Sequence, residues 1–174
     1  MNARRTTGSE IPTQRANAIA SLIAEFRRND GLTRENARWA LVRMGKAAVG
    51  SLIDALRDFD ERVRWEAAKA LGEMREPAAI PAFIGALDDE QGDVRWVAAR
   101  GLVKLGRRPL VPLLQALMAH GDSPRLRWGA HYVLRRMRGR DLDVLLNPVL
   151  AALEGVEPAV AAPLAAEAAL EELT

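Results

Sequence analysis

Cysteine is absent from the chain, tyrosine occurs once and histidine twice. The first absence excludes structural disulfides and thiolate metal sites, and it suits a reducing, cytoplasmic setting. His120, in the turn MAHGDSP, and His131, in LRWGAHYVL, have no second histidine or suitably spaced carboxylate beside them, so no metal-ligand set can be assembled. Long apolar runs are lacking too. The most hydrophobic late stretch, PVLAALEGVEPAVAAPLAAEAAL, is broken by Glu154, Gly155, Glu157, Pro158 and Pro163. It cannot supply the uninterrupted span of about 20 residues that a membrane helix needs. There is no glycine-rich phosphate loop, nucleophile elbow or catalytic triad. The acidic run DDEQGD (88–93) lacks the spacing of a calcium loop and is better suited to capping a helix that starts near Val94. The chain is expected to be soluble and non-enzymatic, with no cofactor and no metal.

What is present is a hydrophobic content of 49% over 174 residues, enough to fold one domain or one short array without staples. The formal charge of +2 is unevenly placed. Residues 1–139 hold 24 Lys and Arg against 16 Asp and Glu, whereas 140–174 hold Arg140 against seven carboxylates. Residues 1–12, opening MNARRTTGSE, carry no export signal and are expected to form a flexible N-terminus.

The dominant signal is repetition. IASLIAEFRRND (19–30) matches VGSLIDALRDFD (49–60) at an offset of 30, and that phrase matches IPAFIGALDDEQ (80–91) at 31; LVPLLQALMAHG (110–121) is a weaker copy, followed at 32 by LDVLLNPVLAAL (142–153). Within each copy the apolar residues fall at i, i+3, i+4 and i+7, as in Val49, Leu52, Ile53 and Leu56, which is one face of an α-helix. Between the copies runs a second helical phrase, VRWEAAKALGEM (63–74), VRWVAARGLVKL (94–105) and LRWGAHYVLRRM (126–137), with a stripe of its own in Val63, Ala67, Ala70, Leu71 and Met74. Pro12, Pro77, Pro124 and Pro158 stand where helices should begin, and Gly45, Gly106 and Gly139 near the ends of the second helix of a pair. The expected fold is an all-α solenoid of about five helix pairs, a single repeat domain over 13–174, with approximate repeats 13–45, 46–75, 76–106, 107–139 and 140–174. Pro148 is expected to interrupt the first helix of the last pair, and Pro163 to interrupt or start the second.

The pattern D-x(5)-VR-x-x-AA-x-AL-G, carried by Asp58, Val63, Arg64, Ala67, Ala68, Ala70, Leu71 and Gly72, resembles the HEAT repeat, in the short form found in phycobilin lyase subunits. The resemblance covers nearly the whole chain. It implies a right-handed superhelix in which the VR helices line the concave surface. It also implies an Asp/Arg ladder of Asp58 with Arg64 and Asp89 with Arg95, tying turns to helices. Arg34 and Arg127 lack an aspartate at that spacing. The resemblance does not extend to iron-binding HEAT enzymes, whose repeated His-Glu pairs are missing, nor to alkylpurine DNA glycosylases, whose carboxylate is missing.

Aligning the second helices places Arg34, Arg64, Arg95 and Arg127 in one column and Glu35, Trp65, Trp96 and Trp128 in the next. Trp39 belongs one turn later, with Lys69, Arg100 and Tyr132. With Val63 at zero and 100° per residue, the apolar stripe spans about −20° to +80°, while Trp65 lies near 200° and Lys69 near 240°. The tryptophans therefore point away from the core of their own helix. They either pack in the seam between repeats or form an exposed aromatic surface for binding. The candidate partner-binding set is Trp39, Trp65, Lys69, Trp96, Arg100, Trp128, Tyr132 and Arg135, flanked by mixed charge that includes Glu35, Glu66 and Glu73. The favoured function is a non-catalytic scaffold holding a protein or peptide on the concave face. The alternatives are nucleic-acid binding, motivated by the +8 balance up to residue 139 and the arginines crowded between Arg107 and Arg140, or, from the resemblance alone, an accessory subunit related to bilin lyases.

Overall fold

The computed structural model describes residues 10–137, 139 and 141–173. Among these described residues ten α-helices follow one another: α1 Glu10–Ala24, α2 Gly31–Met44, α3 Lys46–Ala55, α4 Glu61–Met74, α5 Ile80–Ala86, α6 Gly92–Lys104, α7 Leu110–His120, α8 Pro124–Met137, α9 Asp143–Glu154 and α10 Pro158–Glu171. Short 3-10 turns, Glu25–Arg27 and Pro77–Ala79, follow α1 and precede α5. No strand occurs among the described residues. The architecture is an all-α solenoid of five helix pairs. Of the stretch expected to be flexible, residues 1–9 lie outside the described residues, and residues 10–12 already belong to α1.

The starts of α2 and α4 are set by short polar side chains. The Asp30 carboxylate accepts from the backbone N–H groups of Leu32 at 3.2 Å and Thr33 at 3.0 Å, and Asp60 accepts from Arg62 N–H at 2.9 Å. Each satisfies donors that have no partner inside the first turn. The ends use left-handed backbone at equivalent positions of successive repeats: Gly45 (φ 60°), Arg75 (φ 53°) and Gly106 (φ 68°). Glycine takes that conformation freely, so Arg75 is the costly member of the set.

In the first four pairs, α2, α4, α6 and α8 stack in one row and α1, α3, α5 and α7 in the other. Between the rows lies a continuous core that includes Phe26, Leu52, Leu71, Phe83, Leu102, Leu113 and Leu134, all fully buried. Two glycines set the approach of the rows. A Cβ at Gly101 of α6 would lie 2.6 Å from the Phe83 ring of α5, and one at Gly129 of α8 would lie 2.8 Å from Leu87.

The last pair is packed differently. Its second helix, α10, lies against α7 and α9, while α9 packs against α8. A regular continuation would have set α10 beside α8. The buried alanines Ala162, Ala166 and Ala169 allow α10 to approach closely. At the end of α7, Gly121 has no side chain to meet the Pro163 ring, which a Cβ there would overlap. The expectation that prolines interrupt this pair is corrected: α9 runs through Pro148 and α10 through Pro163. Each removes one helical donor, but the residues four earlier, Val144 and Ala159, are exposed, so water can reach the carbonyls left over. Among the described residues no helix is long and apolar enough to cross a membrane.

Candidate partner-binding surface

The surface is built on α2, α4, α6 and α8. Their arginine column is held at its base by an arrangement the sequence reading had only in part. Arg34, Arg64 and Arg95 each donate from Nη1 to the backbone carbonyl six residues earlier at 2.8 Å, and Arg127 does the same at 2.5 Å. A backbone oxygen is available whatever the residue type, so Arg34 and Arg127 take the same place as the others without an aspartate. The aspartates serve a different partner from the one expected. Asp89 receives a two-pronged contact from Arg64 of the preceding repeat, Nε to Oδ2 at 2.7 Å and Nη2 to Oδ1 at 3.0 Å. Asp58 likewise receives Arg27 at 2.5 Å. Side chains therefore tie repeat to repeat, and Arg95 meets Asp89 only through its main chain. The hydrogen bonds from Arg64 to Asp89 raise the guanidinium pKa above its ordinary value.

With the arginines fixed, the next column points outward, and it divides. Trp65 is half-buried, packed against the core, with the Lys69 ammonium 4.2 Å from its ring centroid. Trp96 and Trp128 are 39% and 53% exposed and meet across the α6–α8 seam, with ring centroids 6.3 Å apart. Tyr132 completes the group, 4.8 Å from Trp96 and stacked on Trp128 at 6.2 Å with 16° between planes. The Arg136 guanidinium lies 3.5 Å from the Tyr132 ring centroid. Lateral contact and exposure thus coexist, because Trp96 and Trp128, one repeat apart, meet at a tilt of 45° while each stays more than a third open to water.

Trp65 and Trp96 also wall a groove of about 370 Å³ between α4 and α6, with Lys69, Arg100 and Lys104 among its lining. Two members of the expected set stand apart. Trp39, on α2 and 42% exposed, has its indole N–H directed to Glu35 at 3.4 Å and joins no aromatic contact among the described residues. Arg135 turns toward α9, 3.5 Å from Glu154, which also meets His131 Nε2 at 2.6 Å. Arg138 and Arg140, part of the C-terminal arginine crowd, lie outside the described residues.

Glu66 is corrected from a flanking surface charge to a buried one. It is 2% exposed and bonded to Arg38, itself 5% exposed, with Arg34 Nε 3.3 Å from its other oxygen. The signal was present in the columns. Arg38 stands where later repeats have Ala68, Ala99 and His131, and Glu66 where they have Val97 and Gly129, so two exceptional residues face each other between the first two repeats. A second inter-repeat pair, Lys104 to Glu73 at 2.6 Å, lowers the Glu73 pKa through that hydrogen bond. No group of acidic residues and histidines among the described residues could hold a metal ion.

Comparison with known proteins agrees with this architecture. A family model for HEAT repeats matches residues 19–102 and again 80–170. The fold is similar to a chain in the solved structure of the complex of CpcE and CpcF of phycocyanin lyase from Nostoc sp. PCC7120, at 24% identity and a TM-score of 0.60, covering 89% of this chain and 99% of that one. No curated protein matches the chain.

Proposed function

This chain belongs to the HEAT-repeat family, and on that footing we propose that it is a non-catalytic scaffold that takes a protein or peptide partner on the concave, tryptophan-bearing face. The observation that carries the reading is the contiguous exposure of Trp96 and Trp128 beside the groove of Trp65. Tryptophan and arginine dominate interface hot spots, and a regular apolar patch left open to water favours association. The similar solved structure is itself a complex of two chains, CpcE and CpcF, so an accessory role beside a second subunit is a narrower form of the same reading.

Affinity capture from the native host tests it, comparing the intact chain with the Trp96→Ala/Trp128→Ala variant at matched circular dichroism and melting temperature. The expected result is a discrete protein retained by the former and lost by the latter; equal retention by both removes the tryptophan face from the account. Fluorescein-labelled single- and double-stranded DNA, titrated at rising salt, forms a second arm. Tight binding that falls steeply with salt would favour the nucleic-acid alternative.

A further inference from the structure

Lys69 and Arg100 face the α4–α6 groove without a counter-ion. Among the described residues neither makes a hydrogen bond or ion pair, and the carboxylates around Lys69 are all engaged elsewhere. Glu66 is bonded by Arg38 and Arg34, Glu35 lies 3.6 Å from Arg38 and accepts from Trp39, and Glu73 is taken by Lys104. Lys69 is also partly desolvated against Trp65, and burial pulls its pKa below the ordinary lysine value. A cation short of both water and a counter-ion gains most when an anion arrives.

The groove does not stop at the aromatic wall. A second depression of about 240 Å³ shares Trp65 and Asp93 with the first and continues toward Glu61 and Gln91, at the N-terminal ends of α4 and α6. The track therefore runs the length of α6, whose 13 residues span about 20 Å. That length holds about six residues of extended chain. Besides Lys69 and Arg100, Asp93 and Glu61 are the charges along it that make no hydrogen bond or ion pair among the described residues, Asp93 about 10 Å, or three extended residues, from Arg100.

We infer that the α4–α6 groove binds an extended peptide segment of the partner through one Asp or Glu side chain at Lys69 and Arg100, with a large apolar residue between Trp65 and Trp96. The inference rests on the scaffold reading of this face. The negative charge of Asp93 selects an uncharged or basic residue about three positions from the acid. The same carboxylate disfavours a nucleic-acid strand, whose charge repeats at every residue and would have to pass it.

The test is selection from a displayed random hexapeptide library on the intact protein, on Lys69→Gln/Arg100→Gln and on Trp96→Ala/Trp128→Ala, with melting temperatures confirming folding. Selection on the intact protein is expected to enrich Asp or Glu beside Leu, Phe or Trp, with acids depleted about three positions away. The Lys69→Gln/Arg100→Gln variant should bind the best acidic peptide roughly ten- to a hundredfold more weakly, the loss of charged hydrogen bonds, and favour the Gln analogue no less than the Glu peptide. Peptides that depend on Trp96 and Trp128 but show no acidic preference, or an acidic preference that survives Lys69→Gln/Arg100→Gln, overturn the inference and leave the scaffold reading standing. No enrichment on the intact protein overturns both, as does tight binding of an oligothymidine probe that the same two substitutions abolish.

Discussion

Glu66 and Arg38 show how much a single pair can decide. Both are buried and each is the other's principal partner. Removing one leaves an uncompensated charge in the core, a loss of about 3–5 kcal/mol. Glu66→Ala is therefore expected to lower stability by that amount in urea unfolding, and Glu66→Ala/Arg38→Ala to cost clearly less than the sum of the single changes. Additive costs would show that the two side chains do not act together. Arg75 presents the opposite opportunity. It is exposed and holds a left-handed φ of 53° where neighbouring repeats have Gly45 and Gly106. Arg75→Gly should stabilise by about 1 kcal/mol, since the steric penalty of a Cβ in that conformation disappears; an unchanged or lower urea midpoint would count against it. The position was legible in the sequence as a repeat column, but the backbone conformation that makes Arg75 unusual was not.

At the scale of the element, the helices follow from period and punctuation, and their packing follows from side-chain size. The i, i+3, i+4, i+7 stripes placed Leu52, Phe83 and Leu71 inside, where the structure has them fully buried. What period does not say is which neighbour covers a face. Gly101 stands in α6 where α4 has Ala70, and the structure makes it the seat of Phe83. Gly101→Ala is expected to destabilise by about 1–3 kcal/mol through overpacking. Gly50→Ala, at an exposed site in α3 with nothing within 4 Å of the new Cβ, should stabilise by up to about 1 kcal/mol through helix propensity. Equal effects from the two substitutions, read as urea midpoints, would remove Gly101 from any special packing role. The last pair carries the same lesson. The apolar faces of α9 and α10 were legible as helices, yet the placement of α10 on α7 depends on the fit of Pro163 over Gly121, a contact between residues 42 apart that no local pattern encodes.

Across the whole molecule, the arginine column stitches repeat to turn and its aspartates stitch repeat to repeat, leaving the tryptophan column outside the supporting network. The helical wheel was sufficient to direct Trp65, Trp96 and Trp128 away from their own helix. It could not separate the half-buried Trp65 from the exposed Trp96 and Trp128, because that difference arises from the neighbouring repeat. Nor could it show that Tyr132 joins the rings while Trp39 and Arg135 turn elsewhere. The central claim is that the exposed rings are spare to the stack and available to a partner. Urea unfolding of Trp128→Ala beside Leu71→Ala tests it most directly. With Trp128 53% exposed and Leu71 fully buried, the account predicts a loss of under about 1.5 kcal/mol for the tryptophan, the scale of a surface aromatic contact, against about 2–5 kcal/mol for the leucine. A Trp128→Ala loss as large as that of Leu71→Ala would contradict the account and make the tryptophan column part of the packing.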